Sequence, residues 1–285
     1  MGKYRNLPVF CDFGDKFFKH GHNFPENRSI HQQIHLFFKM IYRPEHLYTG
    51  EFSFDMLAKE SYLSDQKKRH SMHALIVAGG TPPSKKLLEQ EIGNADLKIG
   101  ADSGGYAFLG YGFYPDIVVG DMDSFKYTNH EGVQILNDPD QETNDLEKSL
   151  AYAIEKGATT CTVLGALGKR FDHAMKNISV LMQYMNDFES LIFRDDYGDT
   201  FITRSPYKPD LPVGTIISFF QMNKPISGFT SKGVKYPLTD SLLAMGIQDG
   251  SSNEITDEDA LITFDEGYLG VFVGTGEKIN KTKRD

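Results

Sequence analysis

Cysteine is scarce in this chain of 285 residues: Cys11 and Cys161 are the only two. That excludes a disulfide framework and a cysteine-built zinc cluster, and it suits a reducing, cytoplasmic setting. Long apolar runs are also missing. Nothing is long enough to span a bilayer, and the N-terminus lacks the apolar stretch of a secretory signal, so no membrane partner is expected. Positive charge is the minority, with 30 Lys plus Arg against 39 Asp plus Glu, a net −9. With no clustered basic run, no nucleic-acid partner is expected either. An acidic chain suits a cationic or metal-bound substrate.

Two familiar signatures fail on inspection. Thr81-Pro82-Pro83-Ser84-Lys85-Lys86 follows Gly79-Gly80 as a phosphate loop would. The second glycine and the Gly-Lys-Ser/Thr spacing are missing. Asp121-Met122-Asp123-Ser124 opens like an EF-hand, but Phe125 stands at the third acidic position and the required glycine is absent. His31 and His35 share a helical face without a third ligand, which fits packed or surface histidines better than a metal site.

What is present centres on Ile99–Phe125. Two turns there each follow an apolar run and carry acid. Asp102-Ser103-Gly104-Gly105 follows the strand-like Leu97–Ala101, and Gly120-Asp121-Met122-Asp123-Ser124 follows Ile117–Val119. Open α/β sheets bind ligands just beyond strand ends. Asp121 and Asp123 converge on one cation if the loop curls, and Mg²⁺ prefers such hard oxygen ligands. Asp and Gly are also ordinary turn formers. Two such turns in succession, with three acids, favour metal-assisted phosphate chemistry.

The periodicities predict three parts. Residues 1–71 form an aromatic-rich N-terminal extension, partly helical, with one helix over Ser29–Tyr42 capped by Ser29 and Gln32. Residues 72–194 alternate short β-rich runs with helical ones, which implies an α/β domain with a mainly parallel sheet. Its helices include one begun by Asn144 with Glu147 as cap partner, and one after Gly168-Lys169-Arg170-Phe171-Asp172-His173. Glycines and a helix start there offer N–H groups to an anion, and Arg170 adds a guanidinium fork that Asp172 can steady. Residues 195–285 read as a separate antiparallel β-sandwich after a linker at Asp195–Asp199. Its last strands, Leu261–Phe264 and Tyr268–Val273, read as a hairpin closed by Asp265-Glu266-Gly267.

Taken together these residues resemble the thiamine pyrophosphokinase family over about Ala74 to Val273. The resemblance rests on Asp102–Gly105, Pro115-Asp116 with Gly120–Ser124, Gln141–Asp145, and Gly168–His173 with Asn177 one turn on. In the last part it rests on Gly233–Leu238 and Ser252-Asn253-Glu254. It implies a transferase that moves pyrophosphate from ATP to the hydroxyl of thiamine, releasing AMP. It also implies a homodimer with sites built across the subunit contact. By resemblance, Asp102, Asp121, Asp123 and Asp145 would bind Mg²⁺ and, with Arg170, carry catalysis. Gly104, Gly105, Ser124, Gly168, Arg170, Asp172, His173 and Asn177 would face ATP. Gln141, Asn144, Thr230, Tyr236, Ser252 and Asn253 would hold thiamine. The chain departs from the family pattern at three positions: Asn144 stands where Thr is usual, Lys169 where Gly is common, and Tyr236 where animal members carry Trp. A metal-dependent nucleotide phosphohydrolase and a non-catalytic thiamine- or nucleotide-binding regulator are the alternative readings.

Overall fold

The computed structural model describes residues 71–126 and 132–275. The helix expected over Ser29–Tyr42, and the rest of the extension up to His70, lie outside the described residues.

The first described strand, β1 (Met72–Val77), is central. It pairs in parallel with β2 (Leu97–Ala101) on one side and with β5 (Ala158–Leu164) on the other. Beyond β2 come β3 (Ile117–Gly120) and β4 (Gln134–Asn137), and beyond β5 comes β6 (Ser190–Arg194), all parallel. Leu75, Ile76 and Val77 are fully buried because both sheet faces are covered. Alternation sends Ala74 and Ile76 to one face, where they meet α3 (Asp145–Glu155) and α4 (Phe171–Tyr184) through Leu146, Leu150, Val180 and Leu181. Leu75 and Val77 go to the other face, against Leu88 of α1 (Lys85–Ile92) and Phe108 of α2 (Gly105–Gly110). Ser84 caps α1 through its hydroxyl, and Asn144 and Glu147 form a full capping box on α3.

The chain winds from β1 outward to β4, then returns to the opposite side of β1 as β5. That reversal leaves a crevice beyond the carboxyl ends of β1 and β5, where open α/β sheets receive ligands.

The expected linker at Asp195–Asp199 is instead a tight turn. Asp195 Oδ1 accepts the N–H groups of Tyr197 and Gly198, and β7 (Gly198–Thr203) returns antiparallel to β6. The sheet therefore continues without a break through β7, β13 (Leu269–Gly274), β8 (Ile216–Gln221) and β11 (Asn253–Glu254), ten strands among the described residues. The β-rich second part is a sandwich that borrows this antiparallel half as one layer. Its other layer is a three-stranded sheet of β10 (Ser241–Leu243), β9 (Ile226–Lys232) and β12 (Leu261–Thr263). Ile217, Phe219 and Val271 from the long sheet pack on Ile226, Phe229 and Ile262 from the short one.

The terminal hairpin is a second correction. β12 pairs with β9, while β13 lies between β7 and β8, so the two strands belong to different layers. The turn between them is anchored elsewhere. Asp265 takes the Ser227 hydroxyl at 2.8 Å, and the Tyr268 N–H donates to Asn223 Oδ1 at 3.1 Å. The Asp-Glu-Gly segment serves a crossing between layers, not a hairpin.

Candidate functional site

A cavity of about 350 Å³ opens at the carboxyl ends of β1, β2, β3 and β5. Its acidic side is made by the two turns that follow β2 and β3. Asp102 has a left-handed backbone, φ 42°, and is 3% exposed. Its Oδ1 accepts the Phe125 N–H at 2.9 Å, tying the first turn to the end of the second. Gly104 and Gly105 lie behind this wall rather than on it. A β-carbon on Gly104 would fall 1.8 Å from the Val77 carbonyl oxygen, and one on Gly105 would fall 2.9 Å from the Phe125 ring. Gly104 lets the turn close against β1, and Gly105 lets it close against Phe125 and Val118 of β3.

The second turn curls through Met122, at φ 61°. Asp121 Oδ1 accepts the Asp123 N–H at 3.1 Å, and Gln141 donates its amide to Asp121 Oδ2 at 3.0 Å. The Gln141 bond, then the Asp123 N–H, hold the Asp121 carboxyl below its usual range. Ser124 donates to Asp123 Oδ1 at 2.7 Å. As a result Asp102, Asp121 and Asp123 each present one carboxylate oxygen within 4.8 Å of the others. Three hard oxygens so arranged fit a divalent cation such as Mg²⁺.

Asp145 heads α3 at the edge of this trio. Burial first, then the charges of Asp102 and Asp121, push its carboxyl up to about 6. Its closeness depends on Gly120, where a β-carbon would lie 2.9 Å from both Asp145 Oδ1 and Asp102 Cβ. Asn144, expected to touch substrate, spends both ends of its amide on structure. Its Oδ1 caps α3 by accepting the Glu147 N–H, and its Nδ2 donates to Asn177 Oδ1 at 3.0 Å. Asn177 in turn donates to the Ala166 carbonyl at 2.7 Å.

The opposite wall is the turn after β5. Arg170 makes two bonds to Asp172, from Nε at 3.1 Å and from the guanidinium terminus, so Asp172 orients Arg170 from outside the cavity. Gly168, Arg170, His173 and Asn177 line the cavity with Asp102, Asp121, Asp123, Ser124, Asn144 and Asp145. Two cations to which the sequence assigns no role support the site. Lys148 is buried under the acid-rich loop and holds it by donating to the carbonyls of Asp138 and Asp140 at 2.8 and 2.6 Å. Lys169 donates to the Gly79 carbonyl at 2.8 Å. A lysine in an amphipathic helix carries no sign of such a role, whereas Lys169 stands where Gly is common in the family pattern.

Thr230, Tyr236, Ser252 and Asn253 do not line this cavity. Asn253 is buried and clamps the Tyr236 backbone from both sides, accepting its N–H at 3.0 Å and donating to its carbonyl at 2.9 Å. Tyr236 is left 60% exposed. Thr230 Oγ1 accepts the Asp240 N–H at 3.0 Å, and Ser252 takes a left-handed backbone at φ 55°.

Comparison with known proteins agrees with this layout. The thiamin pyrophosphokinase catalytic-domain pattern matches residues 88–193, and the family's vitamin B1 binding-domain pattern matches residues 206–269. "Thiamine pyrophosphokinase 1" of Oryza sativa is 29% identical over 174 residues, 55% of this chain and 65% of the rice protein. The chain thus spans just under two thirds of that relative. "Thiamine pyrophosphokinase" of Bacillus subtilis is 28% identical over 208 residues, 68% of this chain and 94% of the relative. The crystal structure of the thiamine pyrophosphokinase from Bacillus subtilis superposes with a TM-score of 0.61 at 25% identity, covering 72% of this chain and 99% of that one. No helix among the described residues is long and apolar enough to cross a membrane. With both domain patterns present in sequence, and the acids of the cavity falling within the first, the chain belongs to the thiamin pyrophosphokinase family.

Proposed function

We propose that the protein transfers pyrophosphate from ATP to the hydroxyl of thiamine, giving thiamine diphosphate and AMP. The observation that carries this reading is the set of three carboxylate oxygens within 4.8 Å at the sheet's switch point, facing Arg170 across one cavity. Transfer of this kind asks little covalent chemistry of the protein and much charge placement.

Asp102, Asp121 and Asp123 would hold Mg²⁺. When bound, the ion neutralises phosphate charge and polarises phosphorus. Arg170, fixed by Asp172, would take phosphate oxygens through its planar fork. A neighbouring cavity of about 240 Å³ shares Ala166 and Gly168 with the first and is walled by Pro82, Pro83, Leu167 and Phe193. It would receive the adenine ring. The thiamine hydroxyl oxygen would attack the β-phosphorus as the bond to the α,β-bridging oxygen breaks, and AMP leaves with that oxygen. Asp145, outside the oxygen trio but on the same wall, would accept the hydroxyl proton.

Thiamine is a permanent cation, and the exposed face of Tyr236 suits a cationic ring. Tyr236 does not line the acidic cavity, which favours a homodimer in which the sandwich of one protomer closes the cavity of the other and excludes water. Exposed Met245 and Ile247, at 82% and 72%, are apolar surface consistent with such a contact. Incubation with ATP and Mg²⁺, with and without thiamine, tests the reading. AMP release that requires thiamine supports it, and thiamine-independent phosphate release indicates a phosphohydrolase.

A further inference from the structure

The loops after β1 and β5 are zipped together by backbone. The N–H groups of Ala78, Gly80 and Thr81 donate to the carbonyls of Leu164, Gly165 and Leu167, each at 2.8 Å. The seam has no room for side chains. A β-carbon on Gly80 would lie 2.4 Å from two of those carbonyl oxygens, and one on Gly168 would lie 2.0 Å from Thr81 Oγ1. Lys169 comes next and holds φ 55°, a conformation that glycine adopts freely and lysine seldom does. From there its side chain crosses the seam and donates to the Gly79 carbonyl at 2.8 Å.

The charges on the cavity wall single this residue out. The wall carries the carboxylates of Asp102, Asp121, Asp123 and Asp145, and the cations of Lys169 and Arg170. Arg170 is already matched by Asp172. Lys169 bonds a neutral carbonyl, so its charge is not spent on a carboxylate, and an ammonium has three donors of which this bond uses one. A strained backbone that delivers a full positive charge to the wall opposite a metal-type carboxylate trio suits an anion that is itself bound to metal.

We propose that Lys169 is a polyphosphate-binding residue. Its ammonium is poised on Gly79 and contacts the pyrophosphoryl group to be transferred, the part of ATP that the departing AMP lacks. The identity of that anion rests on the pyrophosphokinase reading; the contact itself does not. Lys169 thereby favours the nucleotide that enters over the one that leaves.

The test uses the full chain and the variants Lys169→Met and Lys169→Arg. Titration calorimetry measures binding of inorganic tripolyphosphate with Mg²⁺ and, separately, of AMP. Lys169→Met is expected to weaken tripolyphosphate binding by on the order of 10- to 100-fold, the loss of a charge-assisted bond. Its AMP affinity and its melting temperature should stay near those of the wild type, since both residues share the same backbone constraint. Lys169→Arg should recover most of the binding. In turnover, Lys169→Met should raise KM for ATP and leave KM for thiamine unchanged. Unchanged tripolyphosphate binding in Lys169→Met overturns the proposal. So does a parallel loss of tripolyphosphate, AMP and melting temperature, which marks a structural strut. Wild-type protein that binds tripolyphosphate through Lys169 yet makes no thiamine diphosphate overturns the pyrophosphokinase reading and upholds this contact. Wild-type protein that makes thiamine diphosphate while Lys169→Met matches it in binding and KM overturns only this contact.

Discussion

Asn144 and Asn177 meet side chain to side chain at 3.0 Å, joining the start of α3 to the second turn of α4 under the acidic cavity. Asn177 extends the link to the buried Ala166 carbonyl, so helix caps and the β5 loop are held by one amide relay. Replacing Asn177 by Ala leaves the Ala166 carbonyl and the Asn144 amide without these partners. Orphaning the buried Ala166 carbonyl costs about 1–3 kcal/mol, and the half-buried Asn144 amide, open to the cavity, adds little. Denaturant unfolding should show a loss of that order. A loss below about 0.5 kcal/mol would show that the relay does not support the site.

Asp145 gives a pH-dependent signature in metal-free protein. Its carboxyl rises from 3.8 to about 6 on folding, so the folded state holds the proton more tightly than the unfolded one. The group therefore weakens the fold when ionised, and that cost disappears as pH falls through about 6 toward 4. In the presence of a chelator, Asp145→Asn should melt higher than wild type at neutral pH, by about 2 °C or more. The gap should close as the pH is lowered to about 4. A variant that melts lower than wild type at neutral pH would contradict this electrostatic account.

Arg194 sits at the junction of the parallel and antiparallel halves of the sheet. It donates twice to Asp199 at 2.6 Å and once to Glu91, which is buried, at 2.8 Å. Arg194→Met strands the Glu91 charge. Breaking a buried pair this way costs roughly 3–5 kcal/mol, with the lower end expected because Arg194 is partly exposed. The double variant Arg194→Met/Glu91→Leu should recover much of that loss. Unfolding free energies that simply add would argue against the pairing.

A shared site predicts complementation. Asp121→Asn and Tyr236→Ala should each be inactive in turnover. If the sites span two protomers, mixed dimers of the two variants carry one intact site, and part of the activity returns on mixing. No recovery, or a monomer by light scattering at assay concentration, would overturn the dimer proposal.

Much of the α/β part was legible because short β-branched runs, glycine turns and helical periodicity fall in strict alternation there. Leu97–Ala101 and the Asn144–Glu147 capping box match their predicted positions. The acid turns were legible because the turns carrying Asp102, and Asp121 with Asp123, each follow a strand. The β-rich part was less legible, since pairing partners lie far apart in sequence. The Asp265–Gly267 turn looks local, yet its strands join different layers. The sequence shows Asn144 and Asn253 only as candidate ligand contacts; the structure adds their scaffolding bonds, Asn144 capping α3 and meeting Asn177 at the cavity wall, and Asn253 clamping the Tyr236 backbone. Lys148 gave no warning, because a buried lysine held by loop carbonyls has no sequence pattern.

The most direct measurement quantifies AMP and thiamine diphosphate together, with ATP, Mg²⁺ and thiamine supplied to wild type and to Asp121→Asn. Wild type should form the two products in equal amounts and only when thiamine is present. Asp121→Asn should slow both by on the order of 100-fold or more while keeping the wild-type melting temperature within a few degrees. ADP or free phosphate in place of AMP, or full turnover by Asp121→Asn, would contradict pyrophosphate transfer at the acidic cavity.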